Sequence, residues 1–203
     1  MLPPIEGFLP WLAIFGTAVF AISGALAGLR QQLDIVGVTF VATLTGVGGG
    51  TLRDVLLGST PVGWVTDPRD IIICIGCAIV VCLLNTKLLG HRLHWLYLAD
   101  ALGLAVFAII GADKAQTVGA HPFVCILFGA MSASFGGILR DVICNETPVF
   151  LQREIYITAA LTGAAIYIFL PHFIGFGLRT SAGIAVAFGM RWLAIRYNWS
   201  LPF

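Results

Sequence analysis

The sequence predicts an all-α membrane protein of seven transmembrane helices: an inverted 3+3 repeat plus a seventh helix, with glycine-broken second and fifth helices. Three observations predict it. Of the 203 residues, 59% are hydrophobic and only 10% charged, with a mean hydropathy of +0.97, whereas a soluble domain needs far more charge on its surface. The stretch GGGTLRDVLLGSTP, Gly48 to Pro61, is written again as FGGILRDVICNETP, Phe135 to Pro148. Each copy sets consecutive glycines and an Arg-Asp pair inside an apolar run, where glycine costs a helix roughly 1 kcal/mol relative to alanine and an ionised residue is expensive.

The two copies belong to one register. Adding 87 to the residue number carries Arg53 onto Arg140, Asp54 onto Asp141, and Gly49 and Gly50 onto Gly136 and Gly137. The same shift carries Gly16 onto Gly103, Phe20 onto Phe107, Gly24 onto Gly111 and Gly76 onto Gly163. About twenty identities without a gap mark an internal duplication.

A span needs about 20 apolar residues. Seven runs qualify: Phe8 to Leu29, Ile35 to Leu57, Ile71 to Leu89, Trp95 to Ala112, Pro122 to Cys144, Ile155 to Leu170, and Phe176 to Ile195. The whole chain, 1–203, then reads as one transmembrane domain, with a first repeat at about 8–89, a second at about 95–171 and a seventh helix at about 176–195. Connections are short and hold the turn and charge signals. Because each repeat has three spans, the second enters the membrane from the opposite side, and equivalent helices meet near the midplane. Arg30, Lys87, Arg92, Arg153, Arg191 and Arg196 fall on one side, and Arg69, Lys114 and Arg179 on the other. The majority side is expected to be cytoplasmic, with the N-terminus outside and the C-terminus inside. MLPPIEGF lacks a basic n-region, so the first span is expected to stay in the mature protein.

Several classes are set aside. A formal charge of +1 gives no phosphate footprint, so nucleic acid is not an expected partner. The five cysteines lie in apolar runs, and the Cys74/Cys77 pair has no second pair to make a metal site. No HExxH, P-loop or GxSxG motif is present, and no enzyme, cofactor or metal is expected.

The candidate site lies in the repeated motif: Gly48, Gly49, Gly50, Arg53 and Asp54, with Gly136, Gly137, Arg140 and Asp141. Small residues at Ala42, Gly46 and Gly50, and at Gly129, Ala133 and Gly137, form stripes that let a second backbone approach. The run of three glycines exceeds such a stripe and predicts a kink or break lining a cavity, since opened carbonyls at membrane depth need protein or water beside them. Thr51 and Asp54 are spaced as a capping box that would restart the helix. Neighbours on a helix point about 100° apart, so Arg53 and Asp54 are expected to find partners elsewhere. Two readings stay open: an ion-pair lock between the repeats, or charged groups beside an aqueous path. Asp100 is a third candidate, either interfacial and solvated or part of that path.

Two three-span halves, each with a glycine-rich second helix followed by LRD, plus a seventh span, resemble the prokaryotic trimeric intracellular cation channel (TRIC) family over nearly the whole chain. The resemblance implies a homotrimer in a bacterial or archaeal inner membrane, among membrane lipids. Each protomer would have its own pore for monovalent cations, chiefly K+ and also Na+, lined or gated by the nine motif residues. The lysine-containing lipid signature of animal relatives is missing. The competing function is secondary transport of glycine or another small amino acid, which inverted repeats suit equally well.

Overall fold

The computed structural model describes residues 8–84, 92–152 and 154–200. The described chain is helical: α1 (Phe8–Arg30), α2 (Ile35–Leu56), a single turn α3 (Gly63–Thr66), α4 (Arg69–Leu83), α5 (Arg92–Thr117), α6 (Pro122–Ile143), α7 (Ile157–Phe169) and α8 (Phe176–Tyr197). Among the described residues, four helices are long and apolar enough to cross a membrane: Leu9–Arg30, Ile35–Leu56, Leu93–Thr117 and Pro122–Ile143. α4 and α7, at 15 and 13 residues, are shorter than the predicted third and sixth spans. At 1.5 Å per residue α7 covers roughly 20 Å. The end of the first repeat, with Lys87 and His91, and Arg153 before α7 lie outside the described residues.

Local chemistry explains the starts and stops. Asp34 caps α2, its Oδ1 accepting from the Gly37 N–H at 2.7 Å, and Pro122 opens α6 with its fixed φ. Both motif helices end the same way. Gly58 (φ 68°) and Asn145 (φ 54°) take the left-handed conformation. Ser59 N–H then bonds the Asp54 carbonyl, and Glu146 N–H the Asp141 carbonyl, each at 2.8 Å.

Glycines set the packing. A Cβ on Gly24 would lie 2.8 Å from Ala42 Cα, and one on Gly111 would lie 3.0 Å from Gly129 Cα, so α1 rests on α2 as α5 rests on α6. A Cβ on Gly16 would strike Phe107, and one on Gly103 would strike Phe20. Those two rings stack at 5.3 Å and 7°. At the crossing of α2 and α6, a Cβ on Gly49 would sit 2.0 Å from the Ser132 carbonyl oxygen, and one on Gly136 would sit 2.3 Å from that of Thr45. Every pair is carried onto its counterpart by the same shift of 87.

The structure corrects the glycine break: α2 runs unbroken from Ile35 to Leu56 and α6 from Pro122 to Ile143. About 1 kcal/mol per glycine is offset by backbone contact that no larger residue permits. The capping box fails with it. Thr51 lies mid-helix, donates to the Val47 carbonyl at 2.8 Å and accepts from Trp64 Nε1 at 2.8 Å.

At the bundle's ends, Arg30 pairs with Glu146 at 3.3 Å, and Asp67, just before α4, pairs with Arg69, the first residue of that helix. The hydrogen bond from the Arg69 side chain, helped by its backbone N–H, holds the Asp67 carboxyl below its usual range. Trp11, Trp95, Trp192 and Trp199 are exposed near helix ends, as an interfacial belt requires.

Candidate functional site

The last two turns of α2 and α6 carry the motif charges into the interior. Each guanidinium folds back along its helix, so that Arg53 Nη2 lies 3.7 Å from a Cβ built on Gly50 and Arg140 Nη2 lies 3.6 Å from one built on Gly137. The last glycine of each motif thus gives the arginine a smooth floor three residues earlier, the direction helical side chains take.

Adjacent Arg and Asp do pair, which corrects the expectation from their angular separation. Arg53 Nε donates to Asp54 Oδ1 at 2.8 Å, and Arg140 Nε donates to Asp141 Oδ1 at 2.8 Å. The arginine side chain is long enough to reach around the helix to its neighbour.

Beyond that shared pair the two sites diverge. Arg140, 1% exposed, also donates through Nη1 to Asp100 Oδ1 at 2.6 Å and to Ser23 Oγ at 2.5 Å. Asp141 Oδ2 accepts from the Val149 N–H at 3.1 Å. Asp100 is itself buried at 1%, so it is no solvated interfacial residue. One cation here faces two carboxylates.

Arg53, 8% exposed, meets no such pair. The residues that the shift of 87 puts in the places of Asp100 and Ser23 around Arg53 are Ala13 and Ile110. Instead, Lys114 at the end of α5 shares Asp54, its Nζ 3.1 Å from Oδ1, with its side chain 38% exposed. Arg53 Nη1 is buried with no hydrogen-bond partner among the described residues, and so is Ser132 Oγ at the helix crossing. Two cations here share one carboxylate, Asp70 being the next within electrostatic reach of Arg53. The two sites sit at opposite ends of the α2/α6 crossing, each four residues past the contacting glycine, about 6 Å along the axis.

The structure therefore brings the nine motif residues to one helix pair but gives its halves different surroundings. Sequence reasoning missed Ser23 and treated Lys114 only as a topological charge. It treated Arg179 in the same way; that residue is buried, donates from Nη2 to the Tyr167 carbonyl at 2.7 Å and lies over the Tyr167 ring at 4.6 Å. The Tyr167 hydroxyl bonds Asp113, next to Lys114. A basic residue on an otherwise apolar helix was the available signal.

Glycine-packed apolar helices with ionised groups buried among them define a polytopic helical membrane protein with a charged interior. A family model described as "Glycine transporter" matches residues 10–86 and 97–172. The chain is 38% identical over 194 residues to the UPF0126 inner membrane protein YadS of Escherichia coli strain K12, covering 95% of this chain and 94% of that one. Among solved structures, it is similar to the TRIC trimeric intracellular cation channel orthologue from Rhodobacter sphaeroides, with 41% identity, TM-score 0.90, and 95% and 99% of the two chains covered. It is also similar to a prokaryotic TRIC channel crystallised in 0.5 M KCl, with 33% identity, TM-score 0.91, and 97% and 100% covered. The chain belongs to this prokaryotic TRIC family.

Proposed function

We propose that the protein is a monovalent-cation channel, permeable to K+ and to Na+, with a pore inside each protomer of a homotrimer in the bacterial inner membrane. The pore runs beside the α2/α6 crossing, past Gly48, Gly49, Gly50, Arg53 and Asp54 and past Gly136, Gly137, Arg140 and Asp141. The observation that carries the reading is the open valence of the first site: a buried Arg53 with one nitrogen unmatched among the described residues, and an Asp54 shared with a half-exposed Lys114. Buried polar groups are normally satisfied by protein or water, and charged groups inside a span mark solute paths. The second site, closed on itself by four groups, acts as the lock.

An inverted 3+3 repeat underlies this arrangement. It is supported by the paired contacts of Gly49 with Ser132 and Gly136 with Thr45, and by two family-model matches whose starts, 10 and 97, differ by 87. The N-terminus lies outside and the C-terminus in the cytoplasm, following the basic-residue bias. Trimeric assembly is supported by the likeness to the Rhodobacter sphaeroides relative, a trimeric intracellular cation channel orthologue.

The description of the family model points to a second reading, secondary transport of glycine. Proteoliposome flux separates the two. Rapid K+ flux without saturable uptake of labelled glycine is the expected result, and saturable glycine uptake with little current would replace the channel by a transporter. Arg53→Gln is expected to change single-channel K+ current by about twofold or more while leaving the thermal midpoint near wild type, because it alters charge beside the path without stranding a carboxylate that Lys114 still holds. An unchanged current in a folded Arg53→Gln protein would remove Arg53 from the path.

A further inference from the structure

The two halves of the bundle differ in what covers their first and third helices. A groove of about 660 Å³ runs between α1, α4 and α5, lined almost wholly by apolar side chains, among them Val19, Ile22, Gly76, Val80, Leu98 and Leu102. Adding 87 carries Ile22 onto Ile109, Gly76 onto Gly163 and Val80 onto Tyr167. All three counterparts are covered by α8, the helix outside the repeat. A Cβ on Gly183 would lie 2.5 Å from Ile109 Cδ1, and one on Gly163 would lie 2.7 Å from both Ala187 Cβ and the Gly183 carbonyl oxygen. The Tyr167 and Phe176 rings meet edge to face at 6.2 Å. The groove of the first half is therefore the counterpart of the seat that α8 fills in the second. There are two seats, and α8 fills one.

Gly76 marks the open seat as one shaped for a helix. Glycine weakens a helix interior, and at Gly49, Gly136 and Gly163 that cost is offset by another backbone in close approach. A Cβ on Gly76 meets nothing within 4 Å among the described residues beyond its own helix. Gly76 precedes the end of α4 at Leu83 by about 10 Å along the axis, so the seat lies at membrane depth, away from the connection to α5. Fluid lipid tails fill a groove of any shape and gain little from one missing side chain, whereas a helix gains contact along its length.

The chain itself carries a face that matches. On α8, Gly189 is open in the same way and Ala185, one turn earlier, is exposed. A threefold ring repeats one contact between unlike patches, so each copy offers one groove and each groove takes one neighbour. We propose that this groove is the docking seat for a helix of a neighbouring copy of the chain. The identity of the partner rests on the trimeric assembly proposed for the channel; the correspondence of the two seats does not.

The test is photo-cross-linking of the full chain in membranes, with p-benzoylphenylalanine in place of Val80 on the groove wall, alongside the oligomeric mass of the purified protein in lipid nanodiscs. An adduct of twice the chain mass is expected. Gly76→Trp, which fills the groove, should lower the trimeric fraction about tenfold or more, as overpacking does. Gly76→Leu serves as a gentler second variant, with thermal unfolding confirming that each protomer is folded. Adducts to lipid alone, or to a different protein, would overturn the proposal, and so would an unchanged trimer in both folded Gly76 variants. A monomeric wild type would overturn it together with the trimeric assembly, whereas a trimeric wild type with lipid-only adducts would overturn the seat alone.

Discussion

Arg140→Gln is expected to cost about 3–5 kcal/mol of stability, the range for removing one partner of a buried ion pair, and so to deplete the folded protein recovered from membranes. The arginine is 1% exposed and holds Asp100 at 2.6 Å, Asp141 at 2.8 Å and Ser23 at 2.5 Å. Glutamine leaves two carboxylates buried together without their cation. A double variant, Arg140→Gln with Asp100→Asn, should recover part of the loss, because it removes one of the stranded charges. Yield of the monodisperse protein in detergent and its thermal midpoint are the measurements, with Arg53→Gln as the mild comparison. If Arg140→Gln unfolded like wild type and only its current changed, Arg140 would line the path without holding the helices together, and the lock would be wrong.

Gly49→Ala and Gly136→Ala are expected to destabilise the protein by similar amounts, about 1–3 kcal/mol or more, as overpacked cores do. The added methyls would stand 2.0 Å from the Ser132 carbonyl oxygen and 2.3 Å from that of Thr45. These are backbone atoms, which cannot rotate away, so α2 and α6 must part. Gly50→Ala is the contrast. Its methyl would meet nothing nearer than Arg53 Nη2 at 3.7 Å, an ordinary contact, and alanine gains about 1 kcal/mol of helix propensity. Thermal midpoints of the three single variants decide the matter. Equal losses at Gly49 and Gly50 would mean that the glycines serve a bend in α2 rather than its approach to α6.

Much of the fold was legible because membrane helices announce themselves by composition and the duplication announces itself by register. The predicted second span, Ile35 to Leu57, differs from α2 by a single residue, and the fifth, Pro122 to Cys144, differs from α6 by one as well. The motif residues stand out in the sequence because charge in an apolar run is rare. The break was misread because glycine propensity is a local, weak preference that helix packing overrides. A glycine run looks the same in a sequence whether it frees a backbone or lets another backbone touch it.

What the sequence by itself determined is the helical class, the placement of the long helices, the 87-residue register and the identity of the two Arg-Asp pairs, since each is written in spacing along one chain. What only the tertiary structure decided is that these pairs are unlike. Asp100 and Ser23 reach Arg140 from α5 and α1, while Lys114 reaches Asp54 from the far end of α5, and none of the three has its like in the other half of the repeat. Burial strengthens electrostatic interactions and makes every unmatched group costly. The character of each arginine is therefore set by neighbours that are distant in sequence and meet it only when the helices close on their glycines.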